Sequence, residues 1–148
     1  MRRNFRKLAG SLADDRGYTL TEMLVVLAII GLLVAVITPG ILGQLGRARA
    51  KTGQMQLETV AAAVESFRSD VGRYPTAGET LTALTADPGD ADGWTGPYVK
   101  NPKSLVDPWG HAIAYTVDPA GQNFTVTSYG ADGAPGGAGL NKDLTAPQ

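Results

Sequence analysis

The apolar run Met23–Ile37, headed by a single carboxylate at Glu22, constrains this chain more than any other feature of its 148 residues. At about 1.5 Å per helical residue, residues Tyr18 to Thr38 just span a hydrocarbon core of about 30 Å. An unpaired ionisable side chain in that layer costs roughly 2.5–3.5 kcal/mol on insertion scales, so Glu22 reads as functional and as needing a partner. Cleavage between Gly17 and Tyr18 would create one. The new α-amino group of Tyr18 would be cationic near neutral pH and would lie in the same layer as Glu22.

The order of the segments also matters. A secretory signal places its small-residue cut site after a short apolar stretch, whereas here Gly17 precedes the run. Cutting there leaves the helix on the product as an anchor. Arg2, Arg3, Arg6, Lys7 and Arg16 stand before the helix, against Arg47, Arg49 and Lys51 soon after it. That bias favours a cytoplasmic leader and an exported C-terminal domain. Residues 1–17 hold five of the 13 basic and two of the 14 acidic residues, which leaves 8 against 12 and a side-chain charge of −4. No basic stripe points to nucleic acid, and the Arg47–Lys51 cluster reads as a solvated helix face rather than a contact to DNA or anionic lipid. The chain has no cysteine, which excludes disulfides, thiol catalysis and cysteine-based zinc sites. A domain of about 100 residues has a small core, so a hard-cation site is the staple left to it. One histidine argues against a zinc hydrolase.

The pattern Gly17-Tyr18-Thr19-Leu20-Thr21-Glu22 before an apolar helix resembles the class III signal of type IV pilins and type II secretion pseudopilins. The resemblance implies that a prepilin peptidase cuts after Gly17 and methylates the new terminus at Tyr18. It also implies that Glu22 meets the N-terminal amine of a neighbouring subunit during assembly. The competing reading is an ordinary signal anchor in which Glu22 is incidental.

Past the anchor, Pro39 and Gly40 predict an interruption of the helix, with Gly43 and Gly46 following within two turns. Helical spacing resumes from Leu45. Leu57, Val60, Ala61, Val64, Phe67 and Val71 recur on one face, Glu58, Glu65, Arg68 and Asp70 lie off it, and Gly72 supplies a stop. Between Arg73 and Trp109 the chain is rich in Pro, Gly, Asp and Thr, which predicts an ordered loop with one short helix near Thr80–Thr85. Ala112–Val117 and Asn123–Ser128 read as an antiparallel hairpin turned at residues 118–122. The fold class is α+β, a small antiparallel sheet against one long N-terminal helix. The domain reading is leader 1–17, membrane and assembly helix 18–38, and exported domain 39–148.

Three further stretches resemble the major pseudopilins of type II secretion, and so narrow the pilin-like fold. Arg73-Tyr74-Pro75-Thr76 followed by Gly78, Leu81, Ala83 and Leu84 resembles the family's segment after the long helix, although Gly78 departs slightly in spacing. Physically, Pro75 fixes the helix exit and Leu81 and Leu84 can cap the core. Asp107-Pro108-Trp109-Gly110 matches a motif widespread among pseudopilins. Its chemistry is structural: Asp before Pro favours a turn, Trp109 can bury a large area, and Gly110 permits an unusual backbone angle.

The third stretch, from Gly130 to Leu144, resembles the family's calcium loop. Carried over by position, the ligands are the Asp132 and Asp143 side chains, the Tyr129 and Ala134 carbonyls, and the Thr145 hydroxyl. Asn141 and Thr145 depart from the residues common in related loops. The interior acids and the terminal Glu of an EF-hand are missing, and two charged ligands imply weak affinity, about 10⁻⁴–10⁻³ M. On residues alone, a flexible, solvated glycine-rich tail competes equally with a calcium loop.

The resemblance implies a structural subunit, not an enzyme. It would polymerise with copies of itself and with minor pseudopilins into a periplasmic pseudopilus that exports folded proteins through the outer membrane. Its other partners would be the prepilin peptidase, the inner-membrane assembly platform and, before assembly, membrane lipid. The nearest alternative is a type IV pilin or competence pseudopilin serving adhesion, motility or DNA uptake. A membrane-anchored calcium-dependent binding module and an anchored hydrolase are the readings from other classes, and no catalytic constellation supports the last.

Overall fold

The computed structural model describes residues 17–147. The expectations for the basic leader fall on residues 1–16 and lie outside the described residues. The chain divides into two compact units, Met1–Gly40 and Ile41–Gln148.

Helix α1 runs from Leu20 to Val71. Its start is set by Thr19, whose hydroxyl accepts from the Glu22 backbone N–H at 3.1 Å, and whose carbonyl accepts from Met23 N–H. Its end is set by Gly72, with φ +79 and an N–H still bonded to Arg68 O at 2.8 Å. Of the local break or bend expected at Pro39, the break is corrected: residues 39 and 40 are helical. Proline removes one donor from the ladder and its φ is already helical, so the turns on either side keep their own bonds.

In the second unit, the face of α1 read from the sequence is the buried one. Leu57, Val64 and Phe67 are fully enclosed, and Val60 and Ala61 join them. Against this face pack β1 (Ala114–Val117), β2 (Phe124–Ser128) and β3 (Leu144–Ala146). The sheet order is β1-β2-β3, antiparallel throughout, with Tyr115 opposite Val126 and Thr127 opposite Thr145. The expected hairpin is present, and β3 is an addition. Three residues after a glycine-rich tail are too few for a period-two pattern to show.

The segment after α1 is the ordered loop expected, with its short helix in place and a second one added. A 3₁₀ helix occupies Thr80–Leu84 and buries Leu81, Ala83 and Leu84, and a second covers Pro102–Leu105. The Leu84 carbonyl accepts from both Tyr98 and Val99 N–H groups, and Trp94 Nε1 donates to Ala83 O at 2.9 Å. Tyr98 lies edge-on to Phe67 at 5.7 Å and to Trp94 at 5.8 Å, so this segment contributes an aromatic wall to the core. Trp109 is half-buried, as is Trp94, which packs against the core.

The turn leaving α1 is clamped by charge. Arg73 donates to Glu79 through both terminal nitrogens, at 2.7 and 2.8 Å, and the Thr76 N–H also reaches Glu79. The Arg73 hydrogen bonds hold the Glu79 carboxyl down at about 2, below its ordinary 4.5. A carboxyl depressed by folding stabilises fully above its unfolded value and loses that contribution as pH falls toward the folded one. Because the pair is partly solvated, its worth is on the order of 1 kcal/mol. Glu79→Gln is expected to melt a few degrees below the parent at pH 7, and the gap should close between pH 4.5 and about 2. Thermal unfolding of both proteins across that range checks this, and a gap independent of pH would contradict it.

Candidate functional site

The first unit presents the head of α1. Gly17, Tyr18 and Thr19 precede the helix, and Glu22 sits in its first turn. Thr19-Leu20-Thr21-Glu22 is a capping-box sequence, and half of the box is made: Thr19 Oγ1 accepts from Glu22 N–H. The helix dipole also favours a carboxylate there. The Thr19 bond satisfies one of the helix's first N–H groups, and of the two terms only the dipole bears on the carboxylate itself. The side chains that follow are bare. Tyr18 is 80 % exposed, Leu20 79 % and Val36 71 %, and none of the apolar span is buried. An apolar surface this continuous marks a lipid or protein contact.

The second unit carries the C-terminal loop, built on a polar hub beneath it. Asp107 is nearly enclosed. Its Oδ1 accepts from the N–H groups of Trp109 at 3.0 Å and His111 at 2.8 Å, and its Oδ2 accepts from the buried Ser128 hydroxyl. Gly110 takes φ +98 in this turn. The motif therefore acts structurally, as its residue types imply. It also sets His111, which the sequence reading left without a role. His111 Nδ1 lies 3.1 Å from Gly130 O, and a Cβ on Gly133 would stand 3.0 Å from Nε2, so the ring supports the loop's first turn.

The loop's two ends are joined by the β2–β3 register, Ser128 opposite Leu144. Continued by one residue, that register sets Tyr129 across from Asp143. Tyr129, Asp143 and Thr145 then share the sheet face opposite the core, because side chains alternate along a strand. Within the loop, Ala131 N–H donates to Leu140 O at 3.2 Å, and Gly136 N–H donates to Asp143 Oδ2 at 2.9 Å. Gly137, at φ +94, comes so near residue 141 that a Cβ would stand 2.6 Å from Asn141 O. The loop is folded back on itself.

The five candidate ligands are placed unequally. Asp143 is drawn inward: Oδ2 is bonded across the loop and Oδ1 is buried without a hydrogen-bond partner. Asp132 is exposed and accepts locally from Ala134 N–H at 3.3 Å. Ala134 is exposed in the same turn. Thr145 is exposed in β3, with its carbonyl accepting from Gln54 of α1 at 3.2 Å. No three His, Cys, Asp or Glu side chains gather among the described residues. The donor set is thus two carboxylates with neutral oxygens, which suits a hard cation and not a transition metal. The orphaned Asp143 oxygen fits such an ion, and the backbone group set against the carboxylate's other oxygen is a donor, Gly136 N–H.

Residues 40–147 match the family model of type II secretion system protein G, and residues 12–38 match that of the prokaryotic N-terminal methylation motif. Type II secretion system core protein G of Xanthomonas campestris is 38% identical over 90% of this chain and 91% of its own length. The core protein G of Pseudomonas aeruginosa is 31% identical over 88% and 94%. The crystal structure of the major pseudopilin of the type 2 secretion system from enterohaemorrhagic Escherichia coli superposes with a TM-score of 0.56. It covers 70% of this chain and 87% of that one at 23% identity, a likeness of fold. With a family model spanning the second unit and relatives aligned nearly end to end, this chain belongs to the type II secretion system protein G family.

Proposed function

We propose that this chain is the pilin-type building block of a type II secretion pseudopilus, a structural subunit and not an enzyme. Its precursor is cut between Gly17 and Tyr18 by a prepilin peptidase and methylated on Tyr18. The α1 span then holds it in the inner membrane with the second unit in the periplasm. The assembly platform passes it into a filament of its own copies and minor pseudopilins, which drives folded proteins through the outer membrane. The observation that carries this reading is the bare apolar span headed by Glu22 in the first helical turn. Such a surface leaves lipid only for a comparable surface, and copies of the same helix provide it. A Glu22 carboxylate paired with a neighbour's Tyr18 amine would set the axial register. In a dry helix bundle the desolvation of both charges offsets much of their attraction, so the pair acts mainly through specificity.

The capping box makes the test sharp. The made half of the box uses the Glu22 backbone N–H, which glutamine and valine both keep, so either variant removes the carboxylate without removing this cap. Glu22→Gln is therefore expected to insert and be processed normally, as intact mass lacking residues 1–17 and carrying one added methyl group, yet to fail in filament assembly. Glu22→Val should fail equally. Normal filaments from both variants would overturn this role of Glu22.

We also propose that the C-terminal loop binds calcium through Asp132, Asp143, the Tyr129 and Ala134 carbonyls and the Thr145 hydroxyl. The support is the buried Asp143 Oδ1, which has no hydrogen-bond partner, in a loop folded back on itself. Bound there, the ion supplies no reaction chemistry; it stabilises the closed loop in a domain without disulfides. In the detergent-solubilised chain, 10 mM CaCl₂ at about ten times a millimolar Kd should raise stability by about 1.4 kcal/mol over chelator. Asp132→Ala and Asp143→Asn should remove that increment. An equal loss with calcium and with chelator would mark the loop as ordinary structure.

A further inference from the structure

The C-terminal loop is fastened to α1 by two leucines, and each rests where the helix carries glycine. A Cβ added at Gly46 would overlap Leu140, 2.9 Å from Cδ1, 3.1 Å from Cγ and closer still to Cδ2. One added at Gly53 would lie 3.1 Å from Leu144 Cδ1 and 3.4 Å from Trp109 Cζ3. Positions 46 and 53 are about two turns apart, so they share a face. Both glycines are buried although neither has a side chain to bury. Between the two leucines in sequence stands Asp143, with its orphaned oxygen.

Leu140 is out of character with its surroundings. From Ala131 to Lys142 every residue is exposed, and Leu140 is the one large apolar side chain among them, 45 % exposed despite its contact with the helix. The helix beneath it is intrinsically weak, because Gly43 and Gly46 are poor helix formers one turn apart. Helical order there depends on what packs against it. Loop closure presents Leu140 to that weak turn, since Ala131 N–H holds Leu140 O and the Asn141 backbone lies against Gly130 and Gly137.

We propose that Leu140 is a latch: by seating on Gly46 it couples closure of the C-terminal loop to helical order in α1 around residues 43–50. The proposal rests on the calcium reading given above. An ion that binds only the closed loop lowers the population of the open one in proportion to its saturation, and the latch passes that shift to α1. The cation site thereby governs how readily the helix opens just where it enters the second unit.

The test is hydrogen–deuterium exchange on the full processed chain in detergent micelles, with calcium binding measured in parallel by titration calorimetry. With calcium at ten times its Kd, exchange of amides 44–50 is expected to slow about tenfold. Leu140→Ala should bind calcium within about threefold of the parent Kd but lose this slowing, leaving less than a twofold change. Gly46→Ala displaces the leucine while strengthening the helix, so it should lose the calcium dependence without losing basal protection. Retained slowing in either variant, or calcium binding by the parent without slowing, overturns the latch alone. An unaltered chain that binds no calcium overturns the loop reading and the coupling with it.

Discussion

The apolar surface of Leu20–Ile37 has to be covered by something other than this chain, and that demand organises everything else. The span is fully bare, with a carboxylate in its first turn. Lipid tails and neighbouring helices are about equally apolar, so moving the span from bilayer to filament changes its apolar environment little. Apolar burial can then hold a filament together but cannot fix its stagger. On the proposed reading, the Glu22 carboxylate and a neighbour's Tyr18 amine are the directional element. On the same reading, the helix dipole favours the acid before assembly, and Thr19 caps the backbone around it.

The same helix serves a second master in its C-terminal half. Leu57, Val60, Val64 and Phe67 form the floor on which the sheet, the 3₁₀ turn at Thr80–Leu84 and the Trp94–Tyr98 aromatics all pack. Without cysteines, the long connections are fixed by specific polar ties: Arg73 to Glu79 at the helix exit, Gln56 Nε2 to the Ser104 and Val106 carbonyls, and Asp107 under the loop. Glycines 46 and 53 let the C-terminal segment approach the helix closely. The membrane-side and domain-side roles of α1 are thus written on successive stretches of one continuous pattern.

The elements that sequence reasoning found share a period or a local rule. The amphipathic face from Leu57 to Val71 is periodic, the Gly72 stop is chemical, and the hairpin alternates around a turn-rich stretch. What it missed lacks either signal. β3 is three residues long, and Trp94 packs against the core through a tertiary contact that no spacing encodes. Pro39 and Gly40 carry the local signal of a break or bend, but the helical turns around them prevail over the break. At the head of α1, Thr19-x-x-Glu22 has the spacing of a capping box, a signal that the sequence reading did not use. At the loop, the two aspartates were visible, whereas their unequal placement was not. The support from His111 and the contact of Leu140 with Gly46 depend on chain segments distant in sequence.

The most direct test of the account is the distribution of secreted proteins in a strain lacking this chain, compared with a complemented control. The account predicts that folded cargo accumulates in the periplasm and returns to the medium on complementation. Normal export, accompanied by loss of surface pili, twitching or DNA uptake, would contradict it and assign the chain to the pilin branch.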